Sequence, residues 1–412
     1  MAPTATTGVR LDLFSRLRSN PDDRTALQDA AQLAIQVEFT TIPAYLTALY
    51  SISEPDSAAY QALRSVVIEE MFHVNQAANL LVAIGGLPRF TPPFAPSYPC
   101  FLPHANRETT PLIGLYRASL EVFADVFEAI ETPAPSDAPP QGDHYHTIAQ
   151  LYGALRQGLV RYHGQPPLFT PNPEGRQRTD IYLGKFGGKP EPIATLDNAE
   201  GAIRQIVQQG EGHVPIGKPL VPFERFGAYN QYGERTDGTY GPIIGTPYEL
   251  SHFRKFRGVR LDPGRFPATY PIVSNARHED FTNPVAIAKA KQFDTAYSLV
   301  LKALEATFRV PPQAAAPDPY FATALPLMHQ VLPNLARALM TTPTRADGDP
   351  KAGPNAAPTF TYDAAASVAS LGEGIAGVMD LVAKTAPDRA AGNAVLAPLR
   401  RAFAGVRMLA AG

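Results

Sequence analysis

This chain of 412 residues has a single cysteine, Cys100. It can form neither an internal disulfide nor a multi-thiolate metal site. Any metal must therefore be held by carboxylate and imidazole, a donor set suited to iron or manganese. Net charge is also nearly absent: 36 Lys and Arg against 38 Asp and Glu leave −2. That balance argues against nucleic acid or an anionic membrane as a principal partner. No apolar run approaches the ~18 residues of a membrane span. The first ten residues lack the apolar stretch of a secretory signal. The expectation is a cytoplasmic protein. There is no Gly-x-Ser-x-Gly elbow, and residues 183–189 (LGKFGGK) depart from the phosphate-loop pattern with no strand before them.

Proline and glycine, in contrast, are plentiful, at 42 and 31. They cluster between stretches of helical periodicity, which predicts helices joined by long, rigid loops. The first predicted helix covers residues 23–51, with Leu27, Ala31, Ala34, Glu38, Ile42, Tyr45 and Leu49 on one stripe. The second covers 57–84, with Leu63, Val66, Glu70, His73, Ala77, Leu80 and Ile84 on one face, and stops at Gly85 and Gly86. Further helices are expected over 111–131 and 147–162. Another should start at Asp197, read as an N-cap with Glu200 in a capping box, and reach Glu211. A short one should open at Thr246 and Pro247 and carry Glu249, His252 and Phe256. Residues 283–412 read as Ala/Leu-rich helix with breaks. The division expected is a metal-binding bundle over 1–260 and a helical C-terminal region, 261–412, packed on it.

The chemistry lies in a repeated spacing. Glu70 and His73, and again Glu249 and His252, form Glu-x-x-His. Residues three apart share a helix face, so carboxylate and imidazole converge on one ion. One such pair means little; two, each preceded by a helical glutamate (Glu38 and Glu211), are what an all-α four-helix bundle needs to hold two metal ions. Glu38 and Glu70 sit where apolar residues belong, and a buried carboxylate is costly unless paired or metal-bound. The competing reading pairs these glutamates with Arg64, Arg254 or Lys255. Glu211 lies between Gly210 and Gly212, either at an exposed helix end or where small residues let the backbone approach the site. His213 is an alternative ligand or supporting donor. Glu69 is read as a solvated group or one that supports a ligand. His144 and His146 are read as structural or substrate-facing.

Several segments resemble the iminophenyl-pyruvate dimer synthase family, to which an imine-coupling enzyme of violacein biosynthesis belongs. They are residues 37–52 (VEFTTIPAYLTALYSI), 68–73 (IEEMFH), 79–88 (NLLVAIGGLP), 148–152 (IAQLY), 209–212 (QGEG), 249–256 (ELSHFRKF) and 357–362 (APTFTY). Gln150 stands where that family motif has an acid, and Ala357 replaces a glycine. The resemblance implies a ferritin-like bundle with long Pro/Gly-rich loops and additional C-terminal helices. It supports the same six ligands: Glu38, Glu70, His73, Glu211, Glu249 and His252. It further implies two iron ions, with manganese an alternative, used with O2 on a small, amino-acid-derived imine or amine. An electron donor would be a further partner. The reading from a different class is an iron-storage bundle with no organic substrate. The aromatic loop over 223–240 is expected to line the substrate pocket.

Overall fold

The computed structural model describes residues 12–133, 144–169, 176–181, 190–212, 250–309, 311, 317–385 and 389–411. All regular structure among them is helical, and extended segments meet only in isolated bridges. The expected all-α class is therefore what is observed.

Helix α1 (Leu13–Ser19) leads into α2 (Arg24–Ser51) and α3 (Ala58–Ala83). Both long helices begin on a side-chain cap. Asp23 accepts from the Ala26 N–H at 2.8 Å, and Ser57 accepts from the Tyr60 N–H. Almost every residue of α2 is buried, Glu38 included, and it continues through Pro43. A helix buried all round is the centre of a bundle. Its most extensive partner is α3. Gly85, at φ +84°, ends α3, and the Gly86 N–H returns to the Leu81 carbonyl at 2.8 Å.

The remaining bundle helices are shorter. Helix α4 (Leu120–Val122) widens into a π-helical turn, Phe123–Glu128. Helix α5 spans Ile148–Arg161, α6 Leu196–Gly210 and α7 His252–Arg260. Helices α6 and α7 both pack on α3, α5 packs on α2 and α6, and the π turn packs on α7. The C-terminal part consists of α8 (Pro284–Thr307), two π turns (Tyr320–Ala324 and Leu327–Val331), α9 (Leu332–Met340), α10 (Val368–Thr385) and α11 (Arg389–Ala411). Helix α9 joins this part to α2.

Three expectations about helix ends are corrected. Residues 111–119 are extended rather than helical. Ile113 exchanges two backbone hydrogen bonds with Cys100, at 2.8 and 2.9 Å, and Leu115 bonds both ways with Asn275. These long-range partners outcompete the local helical pattern. Thr195, not Asp197, caps α6, accepting from the Asn198 N–H. Ser251 caps α7, so this helix starts at His252 rather than at Pro247.

Candidate metal centre

Four of the six expected ligands, Glu38 of α2, Glu70 and His73 of α3, and Glu211 at the end of α6, line one small cavity. His252, the first residue of α7, joins them: its Nδ1 is 3.0 Å from Glu70 Oε1. All five are buried. Glu249 lies outside the described residues, as do His213 and the 223–240 loop. His144 and His146 are occupied elsewhere, at the His104 carbonyl and the Thr109 hydroxyl.

The two imidazoles stack with ring centroids 5.3 Å apart. Their outer nitrogens are anchored. His73 Nε2 meets Gln209 Oε1 at 3.0 Å, and His252 Nε2 meets Glu69 Oε2 at 2.7 Å. Since Glu69 and the Gln209 carbonyl oxygen can only accept, each Nε2 is the donor and each Nδ1 faces the carboxylates. His73 Nδ1 lies 3.5 Å from Glu38 Oε2 and 3.4 Å from Glu70 Oε2. Outer partners of this kind orient metal-ligating histidines.

Glu69 is thus corrected in one respect: it is not solvated. It is 3% exposed and shared between His252 and the buried ammonium of Lys255. The competing assignment of Lys255 to a ligand glutamate therefore fails, because its charge is spent on Glu69.

A residue that the sequence reading passed over completes the cluster. Glu131 follows the π turn of α4, is 1% exposed, and lies 3.5 Å from His252 Nδ1 through Oε1. The Tyr45 hydroxyl donates to the same oxygen at 2.7 Å. Three residues earlier, Glu128 goes elsewhere, to Arg260 at 2.6 Å. The signal was available: Glu131 continues the Phe123–Phe127 stripe of the third predicted helix, as Glu38 continues the stripe of the first.

Glycines fit the end of α6 to this site. A side chain at Gly212, which has φ +75°, would meet Ser251 Cβ at 2.9 Å, and one at Gly210 would meet Glu131 Oε2 at 3.4 Å. Glu211 Oε1 accepts from the Ala149 N–H at 2.8 Å, which ties α6 to α5. Beside Glu131 and His252, the rings of Tyr45, Phe123, Phe127 and Phe256 pack with centroids 4.9–5.6 Å apart and form a dry wall.

The charges are compressed into an apolar setting. Burial raises the Glu70 carboxyl to about 7, with His252 and His73 offsetting only part of that effect. Burial would depress His73, but its contacts with Glu38 and Glu70 outweigh it and lift the imidazole to about 9. Burial likewise opposes the charge on Glu38, and the His73 contact prevails, lowering its pKa. Glu69 is lowered in the same sense, by Lys255 and His252 against burial.

The donor set fits a metal. Glu38 Oε1, Glu70 Oε2 and His252 Nδ1 are buried and make no aligned hydrogen bond among the described residues. One ligating atom each from Glu70, His73 and His252 lie within 4.8 Å of one another. The cavity between the ligands, about 10 Å³, is sized for ions rather than for an organic molecule. Buried polar atoms without partners are rare in native proteins, and convergent ones mark a cation site.

Buried glutamates and histidines converging from several helices are the arrangement found in carboxylate-bridged metal bundles. The ferritin-like family profile matches residues 31–261, more than half of the chain, and the chain belongs to that family. A crystal structure of a ferritin-like protein from Caulobacter vibrioides is similar at 23% identity over 70% of this chain and 89% of that one, with a TM-score of 0.48. No curated protein matches.

Proposed function

We propose that this chain is a di-iron oxidoreductase that uses O2 on a small, amino-acid-derived imine or amine. The observation that carries the redox-metal reading is the buried set of Glu38, Glu70 and His252 atoms left without hydrogen bonds, with both histidines anchored through their outer nitrogens. The substrate class rests on the resemblance of residues 37–52, 68–73 and 249–256 to the imine-coupling family.

Glu38, Glu70, His73, Glu131 and His252 would hold the metals, with Glu211 and Glu249 completing the set. Iron held there in the reduced form would supply the two electrons that O2 takes up. The chain's own contribution is positional. Gln209 and Glu69 keep the protons of His73 and His252 on Nε2, which leaves each Nδ1 free to ligate. The aromatic wall of Tyr45, Phe127 and Phe256 excludes water from the Glu131 side.

The test is metal analysis of the full chain grown with iron, followed by anaerobic reduction and oxygen uptake. The expected result is close to two irons per chain and O2 consumption that a chelator abolishes. A folded, metal-free protein indifferent to chelators overturns the reading, and accumulation of a mineral core shows storage in its place.

A further inference from the structure

A second cavity, of about 530 Å³, lies between the α2–α3 pair and the C-terminal helices. It shares no lining residue with the cavity at the metal centre. Phe39 and Val74 line it, while their chain neighbours Glu38 and His73 face the carboxylate cluster, so α2 and α3 are the partition between the two spaces. Its volume is that of a small-molecule site.

The lining is mostly apolar, as at Met71, Leu304 and Phe308, but its charged members are all of one kind. Arg64, Arg337 and Arg401 line it, Arg401 also donating to Asn334 Oδ1 at 2.9 Å, and among the described residues no Asp or Glu does. Arg337 and Arg401 are exposed and Arg64 is half-buried, so the cations form a rim around an apolar interior. Two buried polar atoms on the lining lack hydrogen bonds among the described residues, while the Asn75 amide nitrogen donates to the Arg178 carbonyl at 3.0 Å. Tyr297 is 3% exposed and its hydroxyl has no hydrogen bond among the described residues, and neither has Oδ1 of Asn75, 5% exposed.

We propose that this cavity binds an apolar organic carboxylate, with its body against the apolar walls and its head group at the arginine rim. Guanidinium recognises carboxylate by paired, charge-assisted hydrogen bonds. A neutral ligand of the same shape would leave that positive field unused, and a cation would be repelled by it. A buried hydroxyl without a partner is likewise a donor waiting for an acceptor. This inference stands independently of the metal assignment.

The test is calorimetric titration of the full chain with dodecanoate and 2-naphthoate, each against its neutral alcohol, and with dodecyltrimethylammonium. At least one carboxylate should bind about tenfold or more tightly than its alcohol, the gain of one charge-assisted contact, and the ammonium should bind most weakly. Preference for dodecanoate or for naphthoate decides whether the natural body is alkyl or aromatic. Leu304→Trp, which intrudes on the apolar interior, should weaken binding severalfold. Arg337→Met, an exposed change compatible with folding, should shrink the gap between carboxylate and alcohol severalfold. The proposal is overturned if neither carboxylate exceeds its alcohol, if the ammonium binds equally well, or if Arg337→Met leaves the gap intact in folded protein.

Discussion

Glu69 holds His252 from behind: its Oε2 lies 2.7 Å from Nε2 of the imidazole, and the Lys255 ammonium closes on the same carboxylate. The pair is buried at both ends. Glu69→Gln should therefore act in two ways. It leaves Lys255 buried without a counter-charge, at a cost of roughly 3–5 kcal/mol. It also loosens the orientation of His252, lowering iron affinity roughly 10–100-fold. Denaturant melts and chelator competition separate the two effects. Unchanged iron affinity would assign Glu69 to Lys255 alone.

Glu131 is the ligand candidate that arose from the fold. Glu131→Gln retains an oxygen for the Tyr45 hydroxyl but loses the charge, so the chain should stay folded and bind less iron, with occupancy falling toward one ion or none. Metal analysis of the purified variant checks this. Full occupancy would remove Glu131 from the ligand set.

Two glycines of the same segment should respond oppositely to alanine. Gly212 has φ +75° and its added methyl would strike Ser251, so Gly212→Ala should destabilise by at least ~1 kcal/mol and weaken the metal site through Glu211. Gly201 sits exposed within α6 with nothing within 4 Å of an added methyl, and Gly201→Ala should stabilise by roughly 0.5–1 kcal/mol. Thermal melts of the two variants should move in opposite directions.

Lys289 is fully buried in α8, where, among the described residues, its ammonium meets only the Ala338 carbonyl at 3.0 Å and the Thr342 hydroxyl at 2.7 Å. Burial lowers its pKa from 10.5 to about 7. Between those values the unfolded chain binds the extra proton, so this group makes stability rise as pH increases from about 7 toward 10. Lys289→Met keeps the length of the side chain, and the Thr342 hydroxyl still donates to the Ala338 carbonyl at 2.7 Å. The variant should melt on the order of a few degrees higher at pH 7 and lose that slope. A lower melting temperature at pH 7 would show that the two hydrogen bonds outweigh the desolvation.

The helices and most of the ligand candidates were legible because helical periodicity is local. Glu38 on an apolar stripe and Glu70–His73 on one face of α3 are consequences of 3.6 residues per turn, and they stand where the periodicity put them. The end of α3 at Gly85 was readable for the same reason, since a left-handed residue there needs glycine. Residues 111–119 were misread because the backbone of Cys100 and the backbone N–H and side-chain oxygen of Asn275, near and far along the chain, take their hydrogen bonds. Residue spacing carries no record of such partners.

The candidate donor types followed from composition and helical spacing: one cysteine, the Glu70–His73 pair on one face of α3 and an acid on a buried stripe leave carboxylate and imidazole as the donors available to a metal. Which atoms converge was settled by packing. Glu131 turns inward while Glu128 turns to Arg260, and Glu69 leaves solvent to hold both His252 and Lys255. These outcomes depend on how α3, α4 and α7 dock. The free energy of burying a charge is decided by neighbours far away in sequence, which no local pattern specifies.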